Sequence, residues 1–330
     1  MLRVVFGVSQ RTRISRCCTV LALLGASSSP QLWTSALLVS GTTFHNTPTQ
    51  CGTTTDSARL YSSTTIDNND MPTTLEVAQF GCLNDNYGYL LHDPATGATA
   101  AVDTPEAKPI REQLKSRGWK LTHILNTHHH WDHTGGNAEL AKTEGPLEIV
   151  GPATEKIPGR TFALQGGDEF TLGSHKVQVI DVGGHTLGHI AYYFPDARKV
   201  FVGDALFTLG CGRMFEGTPE QFWASLERLR ALPDDTTVYC AHEYTAANAK
   251  FALSVEPGNA ALQEQASQIA ALRAKGLPTV PTSIGSEKQA NPFLRCDTSA
   301  ELRQAVGVTA EDSPAQAFAK VRKAKDNFRG

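Results

Sequence analysis

The chain has 330 residues, of which 40% are hydrophobic and 19% charged, with a formal net charge of -3. That length and apolar content allow one large domain or two ordinary ones with a well-buried core, and the near-neutral charge argues against a generic binder of nucleic acid or anionic membrane, while leaving room for local basic patches. No run of apolar residues is long enough for a membrane-spanning helix.

Residues 1–70 differ from the rest. They hold Arg3, Arg11, Arg13, Arg16 and Arg59, no acid before Asp56, and Ser/Thr-dense runs such as GTTTDSARLYSSTT. Basic, hydroxyl-rich and acid-poor is the composition of an organelle transit peptide. The mitochondrial matrix is the expected destination and a plastid the alternative; the short apolar run TVLALLGA (19–26) would suit a secretory or bipartite signal. Of seven cysteines, Cys82, Cys211, Cys240 and Cys296 lie outside this segment, and none forms a C-x-x-C pair. Unpaired thiols in a reducing compartment are expected.

LEVAQF (75–80), NYGYLLHD (86–93) and ATAAVD (98–103) read as strands, the last two joined by the turn PATG. PEAKPIREQLKSRG (105–118) has helical spacing and stops at Gly118. THILNT (122–127) is a strand running into a histidine cluster, GGNAELAKTEG (135–145) a helix and LEIVG (147–151) a strand. DEFTL, HKVQVIDV, IAYYFPD and KVFVGDA, between 168 and 205, read as consecutive hairpins. TPEQFWASLERLRAL (218–232) is an amphipathic helix with Phe222, Leu226 and Leu229 on one face, and TTVYCAH (236–242) is a strand. After His242 the strands are expected to stop: helices over 244–276, a loop rich in Pro (Pro278, Pro281, Pro292), then a last helix over 313–328. The body divides into a mixed α/β part, 71–245, and a helical part, 246–330. Hairpins alternating with helices predict two sheets packed together with helices outside.

Residues 127–137 read THHHWDHTGGN. Side chains alternate along an extended segment, so His128 and His130 point one way and His129 the other. Asp132 and His133 follow a turn at Trp131, and the glycines of TGGN are expected to let the backbone swing into a helix. H-x-H-x-D-H therefore offers two ligand pairs to two neighbouring metal ions. A surface histidine run would not embed Trp and Asp at a strand-to-helix junction. His129 is expected to support or pack rather than ligate. Three more ligand-type residues stand at presumed strand ends: His185 in DVGGHTLGH, Asp204 in VFVGDALF and His242 in VYCAHEY. The set contains no thiolate, which speaks against a closed structural zinc site.

THHHWDHTGGN, GHTLGH, GDALF, GCGRMFEGT, YCAHEYT, VEPGN and NPFLR together resemble the glyoxalase II, or hydroxyacylglutathione hydrolase, family of the metallo-β-lactamase superfamily, over about residues 73–330. The resemblance implies an αββα sandwich with a C-terminal helical domain that binds glutathione. It implies a first metal ion on His128, His130 and His185, a second on Asp132, His133 and His242, and Asp204 bridging them. Zinc is the first expectation, and iron or manganese would also suit these donors. The implied reaction is hydrolysis of S-D-lactoylglutathione and related 2-hydroxyacyl thioesters to D-lactate and glutathione, the second step of methylglyoxal detoxification. A hydroxide activated between two ions would attack the thioester carbonyl, with Asp132 able to orient it. Arg213, Phe215, Tyr244, Arg322 and Lys325 match the family's substrate-binding positions. Some members carry Tyr where Phe215 stands, so one hydroxyl donor is missing here; Arg213 in place of Lys keeps the charge.

Other readings remain open at this level. A persulfide dioxygenase of the same superfamily would use one iron, whereas seven candidate ligands point to two ions. A nucleic-acid-processing member would need a basic appendage that the charge balance does not show. A non-enzymatic metal-binding module would not need a full ligand set. The expected partner is a small glutathione thioester, with neither nucleic acid nor membrane, and a monomer is the default assembly.

Overall fold

The computed structural model describes residues 74–330. The targeting segment expected over 1–70 lies outside the described residues. Six strands, β1 (Glu76–Cys82), β2 (Asn86–His92), β3 (Thr99–Val102), β4 (His123–Leu125), β5 (Glu148–Pro152) and β6 (Phe162–Leu164), form one sheet in that spatial order. β1 to β3 are antiparallel hairpins, and β3 to β6 run parallel. Parallel neighbours need crossovers. α1 (Ala107–Arg117) supplies the first, and α2 (Trp131–Thr134) with α3 (Asn137–Thr143) supplies the second.

Alternate residues of this sheet serve different layers, as the period of two requires. Leu90, Ala101, Ile124 and Ile149 pack outward with Ile110 and Leu114 of α1 and Leu140 of α3. Tyr89, Leu91, Val102, Leu125 and Val150 turn the other way, into the larger core shared with the second sheet.

That sheet begins with β7 (Glu169–Leu172), β8 (His175–Asp181), β9 (Ile190–Phe194) and β10 (Lys199–Gly203), antiparallel in succession as the hairpin pattern predicts. A two-residue-per-strand hairpin, β11 (Leu206–Phe207) and β12 (Gly210–Cys211), stands apart from both sheets. α4 (Pro219–Arg230) leads to β13 (Thr237–Cys240), which pairs parallel to β10. α4 starts where Thr218 accepts a hydrogen bond from the Gln221 amide and Pro219 takes the first helical position. Helices outside, two sheets within: the αββα layering is present.

The remaining chain forms α5 (Thr245–Val255), α6 (Ala260–Ala274), β14 (Thr282–Ser283), α7 (Ile284–Ala290), α8 (Pro292–Arg295), α9 (Ala300–Ala305) and α10 (Pro314–Asn327). Two expectations are corrected here. A strand does follow His242: β14 pairs antiparallel with β13 and closes the second sheet. Two residues are too few to register as alternation. Pro292 is no loop residue either. It opens α8, whose N-cap Asn291 accepts from the Phe293 amide. α10 begins with a full capping box between Ser313 and Gln316. Its Phe318 ring packs 5.3 Å from Phe222 and 6.3 Å from Trp223 of α4, which ties the tail to the sandwich.

The two sheets are knitted at one edge. The Tyr87 amide donates to the Ala241 carbonyl (2.7 Å) and the Glu243 amide to that of Asp85 (2.9 Å), joining the start of β2 to the end of β13. Between the sheets Phe201 stacks on Tyr239 (4.8 Å, 11°) and meets Tyr89 edge-on (5.5 Å, 67°). Phe201→Ala should lower the unfolding free energy by about 3–5 kcal/mol, read from denaturant midpoints; a loss below about 1 kcal/mol would mean the sheets do not share this core.

Candidate metal centre and substrate cavity

The histidine cluster follows β4, His185 follows β8, Asp204 follows β10 and His242 follows β13. β8, β10 and β13 point the same way, because β9 is antiparallel to both of its neighbours and β13 is parallel to β10. Their carboxyl ends therefore meet at one edge, and all seven predicted donors come together there.

They fall into overlapping groups whose ligand atoms lie within 4.8 Å of one another: His128, His130 and His185; Asp132, His133 and His242; and His128, His133 and Asp204. In the first group, His130 Nδ1 lies 3.0 Å from His128 Nε2 and 3.1 Å from His185 Nε2. In the second, Asp132 Oδ2 lies 3.6 Å from His133 Nε2 and 3.5 Å from His242 Nε2. The carboxylate of Asp204 divides between them. Its Oδ2 is 3.3 Å from His185 Nε2, while its Oδ1 is 3.5 Å from His133 Nε2 and 3.4 Å from His242 Nε2.

The outer nitrogen of each ring explains the inner one. His133 Nδ1 donates to Asp103 Oδ2 (2.8 Å), His242 Nδ1 to Asp85 Oδ1 (2.8 Å) and His185 Nδ1 to the Arg213 carbonyl (2.8 Å). These partners only accept. The Thr127 hydroxyl donates to Asp103 Oδ2 (2.9 Å), so it accepts from His128 Nδ1 (3.0 Å). In the neutral ring the inner Nε2 of all four is then a bare lone pair. His130 Nδ1 sits about 3 Å from two of these lone pairs, and a single proton on it cannot serve the whole set; a cation can. Two atoms fit the same reading: His133 Nε2 and Asp204 Oδ1 are buried with no hydrogen-bond partner, a state that costs about 1–3 kcal/mol per group unless something else is bound there.

The protonation balance differs between the two groups. Burial, reinforced by His133, His189 and His185, holds His128 well below the ordinary histidine range, and burial also lowers His130 and His185. The second group draws positive charge. Burial opposes the charged form of His133, but Asp204 and Asp103 outweigh it and raise the ring to about 9; His242 is raised likewise, against burial, by Asp204. Burial would lift Asp204, yet His133 and His242 hold it well below the usual carboxylate range.

His129 turns away from the donors, as alternation predicts, and meets Glu155 (2.9 Å). The glycines after His133 do a different job from the one expected. Gly135 and Gly136 have ordinary helical φ values of -59° and -84°. They are needed because a Cβ would lie 2.8 Å from the Trp131 carbonyl at Gly135, and about 3.0 Å from the Ala107 amide at Gly136.

Several residues at the centre stand outside the sequence motifs. Asp103 supports His133 directly and His128 through Thr127, Asp85 supports His242, and Asn86 Nδ2 donates to Asp132 Oδ2 (3.2 Å). His189 accepts from the Asp204 amide (3.1 Å) and stacks on His128 (4.5 Å, 16°). Asp103 had a readable signal, an acid closing a strand as Asp204 does; Asp85 and Asn86 sit in a polar turn with none.

His130, Asp132, His185, Asp204 and His242 line a cavity of about 520 Å³, whose lining also includes Arg213, Phe215, Tyr244, Arg322 and Lys325. Tyr244 stacks on His242 (4.7 Å, 5°), and Phe215 lies 5.2 Å from the His185 ring and 61% exposed at the mouth. Burial, then Asp85 and Asp204, push the Tyr244 phenol up to about 12, so it stays a donor. Lys325 is half-buried; desolvation first, then Arg322 and Arg213, lower it to about 8. Arg322 is only 5% exposed and already engaged, donating to the Cys211 carbonyl (3.0 Å) and to Asp326 (2.9 Å) and lying over the Phe293 ring. It shares a helix face with Lys325, as the i, i+3 spacing predicts, but its guanidinium braces the cavity floor. The four described cysteines are all unpaired and buried.

The β11–β12 hairpin that follows Asp204 is gripped from the tail. Glu287, fully buried, accepts from the Leu209 amide (2.8 Å), the Thr282 hydroxyl (2.7 Å) and Asn291 Nδ2 (2.8 Å), and Asn291 Nδ2 also reaches the Gly210 carbonyl (2.9 Å). Burial pushes the Glu287 carboxyl up to about 7.

Known proteins resemble this chain along the whole described length. The metallo-beta-lactamase superfamily description matches residues 85–242, and the hydroxyacylglutathione hydrolase C-terminus description matches residues 243–328. A protein of Methylococcus capsulatus named hydroxyacylglutathione hydrolase is 53% identical over 258 residues, 78% of this chain and 100% of its own length. One of the same name from Maricaulis maris is 50% identical over 256 residues, 77% of this chain and 99% of its own length. Among solved structures, ETHE1 from Myxococcus xanthus superposes with a TM-score of 0.53 at 27% identity, over 76% of this chain and 98% of that one. By these matches over its described length, the chain belongs to the hydroxyacylglutathione hydrolase family of the metallo-β-lactamase superfamily.

Proposed function

We propose that the protein hydrolyses S-D-lactoylglutathione and related S-(2-hydroxyacyl)glutathiones to glutathione and the free 2-hydroxy acid. His128, His130 and His185 would hold one divalent metal ion, Asp132, His133 and His242 a second, and Asp204 both. The observation that carries this reading is the division of the Asp204 carboxylate between the two groups, inside the cavity that Arg213, Tyr244 and Lys325 line. The full-length match to proteins named hydroxyacylglutathione hydrolase supports it. Imidazole and carboxylate donors favour zinc and accept iron or manganese.

Two such ions would supply a water acidified to near neutrality and an electrophilic contact for a carbonyl oxygen. The protein's own groups do the rest. Asp132, held by Asn86 and partly open to the cavity, is placed to accept a proton and orient the attacking oxygen. Its neighbour Asp204 keeps its negative charge against burial, because His133 and His242 hold it. The departing thiolate is a good leaving group, so no strong general acid is needed. Arg213 and Lys325 set positive charge where the carboxylates of glutathione would arrive, and the Tyr244 hydroxyl offers a donor beside His242. Arg322 adds charge from beneath the floor. Phe215 gives an apolar wall without a hydroxyl.

The direct test is loss of S-D-lactoylglutathione absorbance with the purified protein, alongside elemental analysis. Wild type should turn the substrate over with two metal equivalents bound, and Asp204→Ala should lose both the activity and bound metal. An Asp204→Ala protein that kept both would end the shared-carboxylate reading. One iron per chain with oxygen consumption on glutathione persulfide would replace the hydrolase with the dioxygenase.

Lys325 sets the expected pH dependence. With its pKa near 8, the ammonium is charged below that value and lost above it. KM for the anionic thioester should therefore rise, by up to about fivefold for a half-exposed ion pair, as pH moves from 7 to 9. Lys325→Met should start with the higher KM and show no such rise; a parallel rise in the variant would remove Lys325 from substrate binding.

The composition of residues 1–70 supports import into the mitochondrial matrix. A fluorescent reporter carrying residues 1–70 should co-localise with a mitochondrial marker; plastid or cytosolic fluorescence would contradict that destination.

A further inference from the structure

One buried carboxylate has no part in either donor group. Glu155 lies in the loop after β5 and is 9% exposed. Its Oε2 accepts from the His129 amide (2.7 Å) and from His129 Nδ1 (2.9 Å). Its Oε1 accepts from the Gly188 amide (3.0 Å) and from the Thr186 hydroxyl. The four donors belong to two loops. His129 lies between His128 and His130, and Thr186 directly follows His185. One side chain thus grips both loops that deliver the first donor group. The seat is tight: a Cβ at Gly188 would meet the Thr154 hydroxyl and fall 2.8 Å from Glu155 Cγ, so both side chains hold residue 188 to glycine.

His129, Glu155 and Glu216 also converge closely enough to suggest an ion position of their own. The hydrogen bonds argue otherwise. A carboxylate offers about four lone-pair sites, and all four on Glu155 are taken. The remaining nitrogen, His129 Nε2, faces Glu216 at 3.7 Å, with no acceptor left on Glu155 to share. The cluster is a brace between loops.

We propose that Glu155 is a positioning residue that fixes the geometry of His128, His130 and His185 together, and so governs the affinity of one of the two metal positions while leaving the other largely alone. The second group has supports that Glu155 does not touch, Asp85 for His242, Asn86 for Asp132 and Asp103 for His133, the last also reaching His128 through Thr127. This inference rests on the two-ion reading given above. Its physical basis is that both Glu155 oxygens must accept. Glutamine keeps the shape but turns an amide NH₂ toward two donors, which pushes one loop away.

The test uses the full chain, stripped of metal, reloaded with zinc(II) and challenged with chelators of graded strength while bound metal is counted. Wild type should hold two equivalents. Glu155→Gln should release one equivalent about 10- to 100-fold more readily, the usual cost of disturbing a group that orients a ligand, and keep the other near its wild-type affinity. Thr186→Val removes one of the four hydrogen bonds and should shift the same equivalent by less; it carries the comparison if Glu155→Gln fails to fold. Thermal unfolding of the metal-free proteins separates positioning from general damage. The inference is overturned if either folded variant keeps both equivalents at wild-type strength, or loses both in parallel. A wild type that holds a single equivalent overturns the two-ion reading, and this inference with it.

Discussion

Four imidazoles at the centre, those of His128, His133, His185 and His242, carry a proton on the outward nitrogen, given to Thr127, Asp103, the Arg213 carbonyl and Asp85. Each outward bond fixes a tautomer, and in the neutral ring that tautomer leaves an inward lone pair. Burial keeps the first group neutral, and the carboxylates of Asp132 and Asp204 offset the charge that the second group attracts. If the outer acceptors were lost the rings could rotate or take the other tautomer, and the convergence would dissolve. The rest of the architecture holds these outer acceptors in place.

The two sheets divide that labour. The first contributes Asp103 at the end of β3 and the loop after β4; the second contributes the strand ends that carry His185, Asp204 and His242. Neither sheet holds a complete donor group. The group of His128, His130 and His185 draws on both, as does that of Asp132, His133 and His242. The short backbone bonds from Tyr87 to Ala241 and from Glu243 to Asp85 therefore matter beyond folding, because they set the relative height of the two strand-end rows. The aromatic packing of Phe201, Tyr239 and Tyr89 sits just behind that edge and resists shear between the layers.

Much of this was legible in the residues. The donor cluster could be read because alternation and strand-end position are local rules, and they separate His128 and His130 from His129 without any tertiary information. The hairpins from β7 to β10 followed from alternation over four to seven residues. What escaped was set by partners distant in sequence. Asp85 and Glu155 look like ordinary loop acids until the fold brings His242, or His129 and Gly188, against them. β14 was invisible because two residues carry no period, and the packing role of Gly135 and Gly136 was invisible because the crowding comes from the Trp131 carbonyl and the segment around residue 106. For Arg322 the i, i+3 spacing to Lys325 places a charge on the right helix face, but nothing local shows that its guanidinium is already occupied by the Cys211 carbonyl and Asp326.

The grip of Glu287 and Asn291 on the β11–β12 hairpin gives the tail a second role. The residues between Asp204 and Arg213 run through that hairpin, so the segment that shapes the pocket floor is also the continuation of the segment that presents the shared carboxylate. Drift in α7 or α8 is transmitted to the metal-side chemistry as well as to the choice of thioester. Selectivity and reactivity in this chain are mechanically geared together, and an exchange of the helical tail for an unrelated one would disengage both at once.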